Sequence, residues 1–99
     1  MTDKQLLKIV TSFAKGITKG KPALKCFMVS SPLSTYLDII GVENTLVNGE
    51  VETPDAVYGH WWVRLPDGRI IDATAQQYKG LDMPSVYIGE LPKQYKETA

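Results

Sequence analysis

Three side chains in this sequence have the types and the order for nucleophilic chemistry: its one cysteine, Cys26, its one histidine, His60, and Asp72. A carboxylate beside an imidazole holds the ring in one tautomer as a general base, and such a pair ordinarily serves a nucleophile. Cys26 is the candidate nucleophile.

Whether His60 and Asp72 meet depends on the stretch from Tyr58 to Tyr78, two short apolar segments around Pro66, Asp67 and Gly68. Pro66 presets the first corner of a type I turn, Asp67 tolerates the second, and Gly68 accepts the left-handed conformation that follows. This predicts a three-residue hairpin loop closed by a glycine bulge. Leu65 then faces Arg69, Trp62 faces Asp72, and His60 faces Thr74. Side chains alternate faces with period two, so all four of the latter share one face. His60 and Asp72 become diagonal neighbours roughly 7–8 Å apart at the backbone, within reach of a side-chain hydrogen bond. A two-residue loop at Asp67 and Gly68 would instead put Asp72 on the face opposite His60.

The elements that must carry these groups follow from periodicity. Leu6, Val10, Phe13 and Ile17 recur at the spacing of one helix face, predicting a helix over about 3–18 with a capping box from Thr2 and Gln5. Lys15, Lys19, Lys21 and Lys25 fall in a connector with Gly16, Gly20 and Pro22, which reads as a solvated loop. A second helix over about 26–40 follows from Val29, Leu33, Tyr36, Leu37 and Ile40, with Gly41 as its stop. Pro32 leaves two openings for it. Either it starts at Cys26 and is kinked, putting the thiol at the positive end of the helix dipole, or Ser31 caps it and Cys26 sits on a loop.

Antiparallel strands are expected over about 42–90, with a turn at Asn48-Gly49 and a short strand near Ser85 to Ile88. The charged tail from Pro92 is expected to fray. The fold class expected is α+β: two N-terminal helices packed on a small antiparallel sheet, in one compact domain over 1–99.

Bulk properties narrow the function classes. Of 99 residues, 43% are hydrophobic and 22% charged, an ordinary globular balance. Eleven basic and eleven acidic side chains cancel, so net charge argues for neither nucleic acid nor an anionic membrane as partner. One cysteine forms no internal disulfide, and with one histidine it makes no ordinary zinc site, so neither metal nor cofactor is expected. No apolar run approaches the roughly 20 residues that span a bilayer, and no signal peptide is legible at the N-terminus. A cytoplasmic protein is the expectation.

The order Cys, His, Asp, with the cysteine opening a helix and the other two on neighbouring antiparallel strands, resembles the papain-like and transglutaminase-like thiol superfamily. It is similar, more narrowly, to small bacterial and phage proteins with two sequence blocks. The first is Cys26, Ser30, Leu33 and Leu37. The second is His60, Trp61, Trp62 and Val63, then Asp67 and Gly68, then Ile71, Asp72, Thr74, Ala75, Gln77 and Tyr78.

The resemblance implies a papain-like core, with Cys26 as nucleophile, His60 as general base and later general acid, and Asp72 as orienter of the ring. It implies acyl transfer from an amide or ester through a thioester, to water or to an amine. Trp62, on the His60 face, is expected to wall a substrate groove, and Gln77 to face substrate, where it or the Cys26 N–H would serve an oxyanion. Arg64 is either a carboxylate binder or a solvated edge residue. A second reading keeps the scaffold without the chemistry: a binding or inhibitor module, for example a phage protein that acts on a host protein.

Overall fold

The computed structural model describes residues 1–16, 22–75 and 83–98, with the backbone alone for 22–25. Two helices, α1 (Asp3–Gly16) and α2 (Pro22–Ile39), precede five strands. The strands are β1 (Thr45–Glu52), β2 (Val57–Arg64), β3 (Ile70–Asp72), β4 (Tyr87–Gly89) and β5 (Tyr95–Glu97). They form one antiparallel sheet in the order β4-β3-β2-β1-β5. The class is α+β.

Local chemistry explains the helix ends. Thr2 and Gln5 make the reciprocal capping box: the Thr2 N–H donates to Gln5 Oε1 at 2.9 Å and the Gln5 N–H to Thr2 Oγ1 at 3.1 Å. At the end of α2, Gly41 takes a φ of 82°, the Val42 N–H donates to the Leu37 carbonyl and the Gly41 N–H to that of Asp38. This is a Schellman closure, and glycine adopts its left-handed residue without a Cβ clash.

The start of α2 differs from both sequence readings. Pro22 opens the helix, a position where its missing N–H leaves no gap, and α2 then runs through Pro32 without interruption. Pro32 withdraws the donor that the Met28 carbonyl would otherwise have, but Met28 is exposed and water reaches that turn. Packing outweighs the proline: Cys26, Val29, Ser30, Leu33 and Leu37 form one buried stripe.

That stripe and Leu6 and Val10 of α1 cover one face of the sheet, where Val63, Leu65, Ile71 and Ala73 complete a core. The opposite face carries a second apolar cluster of Val47, Val51, Trp62, Ile70 and Tyr95.

Asn48-Gly49 is not a turn. β1 runs straight through it, burying Val47, Gly49 and Val51 on one face, and Gly49 lies opposite His60. The turn comes later, at Thr53 to Ala56. There the Thr53 N–H and hydroxyl both donate to the Ala56 carbonyl, at 2.8 and 3.0 Å, and Thr53 Oγ1 accepts the Ala56 N–H at 3.1 Å. Glycine is needed at 49 for space: a Cβ there would collide with the Trp62 ring and the Lys96 carbonyl. The tail is likewise ordered, since Val51 pairs with Tyr95 and the Glu52 N–H donates to the Gln94 carbonyl at 2.8 Å.

Gly49→Ala should therefore destabilise the fold by about 1–3 kcal/mol, the usual penalty of overpacking. Urea unfolding followed by tryptophan fluorescence measures it, and an unchanged midpoint would contradict the tight fit over Trp62.

Candidate active site

The β2–β3 hairpin sets the phase of His60 and Asp72. The Leu65 N–H donates to the Arg69 carbonyl at 2.8 Å, the Gly68 N–H returns to the Leu65 carbonyl at 3.0 Å, and Gly68 takes a φ of 92°. Pro66, Asp67 and Gly68 thus form the three-residue loop with its glycine bulge. Val63 pairs with Ile71 and Arg64 with Ile70, a register that leads Trp62 toward Asp72. The ladder stops there, because the chain turns at Ala73 and Thr74. His60 and Asp72 keep their common face, and His60 Nε2 lies 2.7 Å from Asp72 Oδ2.

Cys26 comes from the other side of the sheet. Because β3 ends at Asp72, α2 occupies the edge of β2 that a longer β3 would have taken. The Ser30 hydroxyl donates to the Trp61 carbonyl at 3.2 Å, and the Trp61 N–H donates to the Cys26 sulfur. Ser30 lies one helical turn beyond Cys26, so the two side chains satisfy both polar groups of one strand residue. Phe27 packs on Trp61 edge to face, with centroids 4.8 Å apart, and secures the same junction. The thiol then hydrogen-bonds to His60, whose Nδ1 faces it because Nε2 is engaged by Asp72.

The carboxylate is held from several directions. Asp72 Oδ1 accepts the Thr74 N–H at 2.9 Å, with the Thr74 hydroxyl at 3.4 Å, and Oδ2 accepts the Tyr95 hydroxyl at 2.6 Å. Cys26, His60 and Asp72 are each 0% exposed. A buried carboxylate persists only with such donors.

The electrostatics couple the three groups. Burial pushes the Cys26 thiol up, but the hydrogen bond and charge of His60, with the N–H groups of Trp61 and Phe27, outweigh it and leave the thiol below its ordinary value. Burial alone would keep His60 neutral, yet the hydrogen bonds and charges of Asp72 and Cys26 push it up to about 9. Both shifts favour a thiolate beside an imidazolium.

The remaining sequence candidates fall elsewhere. Trp62 does not wall a groove: it is 0% exposed and packs on His60 and Tyr95, with centroids 6.0 and 5.2 Å away. Period two placed it on the right face, but that face is itself covered. Its Nε1–H finds no acceptor among the described residues. Gln77 lies outside the described residues. The Cys26 N–H is a poor oxyanion donor, because in a helix that opens at Pro22 it closes onto the Pro22 carbonyl. Arg64 pairs with Glu97 at 2.6 Å on the surface.

Tyr95 is a site residue that the sequence places in a fraying tail, and Ser30, which stands in the first sequence block, gains its role only from the fold. Tyr95 stands among Gln94, Lys96, Glu97 and Thr98, so no alternation of apolar and polar residues marks a strand with an inward phenol. Among the described residues no cluster of three or more His, Cys, Asp or Glu is arranged to hold a metal, and no helix is long and apolar enough to cross a membrane. No family model matches the chain, and neither a curated protein nor a solved structure is significantly similar to it.

Asp72→Asn should lower the imidazole from about 9 toward or below its ordinary value, since it removes the carboxylate charge while burial remains. NMR titration of the single histidine reads this directly, and an unmoved midpoint would refute the coupling. Asp72→Ala, which also strips the hydrogen bonds, should cost about 3–5 kcal/mol in urea unfolding.

Proposed function

We propose that this chain is a small intracellular thiol hydrolase or acyltransferase with a papain-like or transglutaminase-like core. The observation that carries the reading is the unbroken chain of contacts from the Cys26 sulfur through His60 to Asp72, with the thiol held down and the imidazole pushed up. A lone buried cysteine is a small hydrophobe, whereas a cysteine ionised against an oriented imidazole is a nucleophile.

In this reading the Cys26 thiolate attacks the carbonyl carbon of a peptide or small acyl substrate. The His60 imidazolium gives its proton to the departing amine or alcohol, leaving a thioester on the sulfur. His60 then takes a proton from water or from an acceptor amine, which attacks the thioester and restores the thiolate. Asp72 holds the ring in place throughout and compensates its positive charge.

One observation favours a second reading. None of the three groups has exposed surface, so a carbonyl reaches the sulfur only if the site opens. A closed ion pair suits a catalytically silent binding or inhibitor module, for example a phage protein that acts on a host protein.

Two measurements separate these readings. The ultraviolet absorbance of the thiolate, titrated in the native protein and in His60→Ala, reads ionisation without needing access. The wild-type thiol is expected to titrate below its reference of about 8.5 and to rise in the variant, where only the Trp61 and Phe27 N–H groups still oppose burial. Iodoacetamide alkylation of the native protein near neutral pH, with a burst of product from an activated ester, then reads access. Thiolate with alkylation and burst establishes the enzyme, and thiolate without either leaves the binding module. A thiol that titrates normally and ignores His60 refutes the triad.

A further inference from the structure

The hydroxyl of Tyr95 and the Nε2 of His60 converge on one oxygen, Asp72 Oδ2, at 2.6 and 2.7 Å. Tyr95 is 3% exposed, and its ring stands edge to face against the imidazole, with centroids 5.9 Å apart. The phenol comes from β5, which reaches this place only by pairing with β1 on the far side of β2. Asp72 Oδ1, by contrast, takes donors from its own turn, at Thr74. The two oxygens are therefore loaded differently. Oδ1 is fixed locally, and Oδ2 is divided between the ring it orients and a phenol from a distant strand.

We infer that Tyr95 is a positioning residue for the Cys26, His60 and Asp72 triad, which fixes the direction of Asp72 Oδ2 and limits the basicity that Asp72 confers on His60. Two donors on one carboxylate oxygen share its electron density, so each weakens the pull that the oxygen exerts on the other. Without the phenol, His60 is the one partner left to Oδ2 among the described residues, and the oxygen holds the imidazolium proton more tightly. A base that binds its proton too strongly is a poor acid in the next step, since the useful pKa lies near the working pH. The phenol hydrogen bond holds the imidazole nearer to that range.

The inference deepens the enzyme reading and rests on it for its catalytic meaning, but its test reads the imidazole itself. Among the described residues, the ionisable groups facing His60 are Cys26 from α2, Asp72 from β3 and Tyr95 from β5. The chain has one histidine, so a labelled imidazole gives one assignable NMR titration in the whole protein.

Tyr95→Phe keeps the ring that packs on Trp62 and removes only the hydroxyl. It should move the His60 midpoint upward by about half a unit. Replacing Tyr95 by a fluorinated tyrosine, whose more acidic hydroxyl is a stronger donor, should move it downward. That second variant keeps the phenol in place and decides the matter even where Tyr95→Phe does not fold. Opposite shifts support the inference, as does a downward shift in the fluorinated protein alone. A midpoint that ignores the fluorine, or that falls in Tyr95→Phe, overturns it. Because neither readout involves acyl chemistry, a protein that fails the alkylation and burst tests can still show both shifts, and one that passes them can show neither.

Discussion

The contact between His60 and Asp72 is the constraint around which the rest of this small fold is arranged. A carboxylate and an imidazole removed from water carry a desolvation penalty of several kcal/mol per ion unless their remaining lone pairs and protons are also satisfied. Each neighbouring feature meets part of that demand. The Pro66, Asp67 and Gly68 loop puts the two residues in phase, the turn after β3 brings the Thr74 amide onto Oδ1, and β5 brings the phenol of Tyr95 onto Oδ2. Gly49 leaves the opposing strand low enough for Trp62 to close over the pair.

The thiol enters by a different device. An α-helix packed on one face of a sheet does not ordinarily meet side chains from the other face. Here β3 is short, so the Trp61 edge of β2 lacks a neighbouring strand, and α2 meets its polar groups with a sulfur and a hydroxyl one turn apart. The Cys26 and Ser30 spacing is thus a piece of backbone hydrogen bonding first. It brings the sulfur to His60 as a consequence.

Local rules made some of this architecture legible in the sequence. The hairpin was readable because a proline, an aspartate and a glycine in that order select a loop of one length, and loop length fixes phase. The caps at Thr2 and Gly41 follow from equally local chemistry. Features decided by tertiary packing were hidden. Asn48-Gly49 carries a strong turn signal, yet the alternation of Val47, Gly49 and Val51 with Trp62 opposite outweighs it. Pro32 argues for a helix start, yet the buried stripe from Cys26 to Leu37 carries α2 through it. Tyr95 lies among charged residues whose pattern speaks only of solvent, and its place is set by β1, far away in the chain. Period two assigned Trp62 to a face correctly but carried no information about what lies above that face.

The slenderness of β5 has a consequence for how long the site stays assembled. Stability is uneven within a folded chain, and short edge elements open far more often than the molecule unfolds. β5 is held to β1 by three register pairs from Gly49 to Val51. Each opening of that strand withdraws the phenol from Asp72 and lets solvent approach the carboxylate, while the hairpin that holds His60 stays closed. Amide exchange at Tyr95 to Glu97 therefore acts as a clock for the pair beneath it, one that runs faster than exchange in the β2–β3 hairpin.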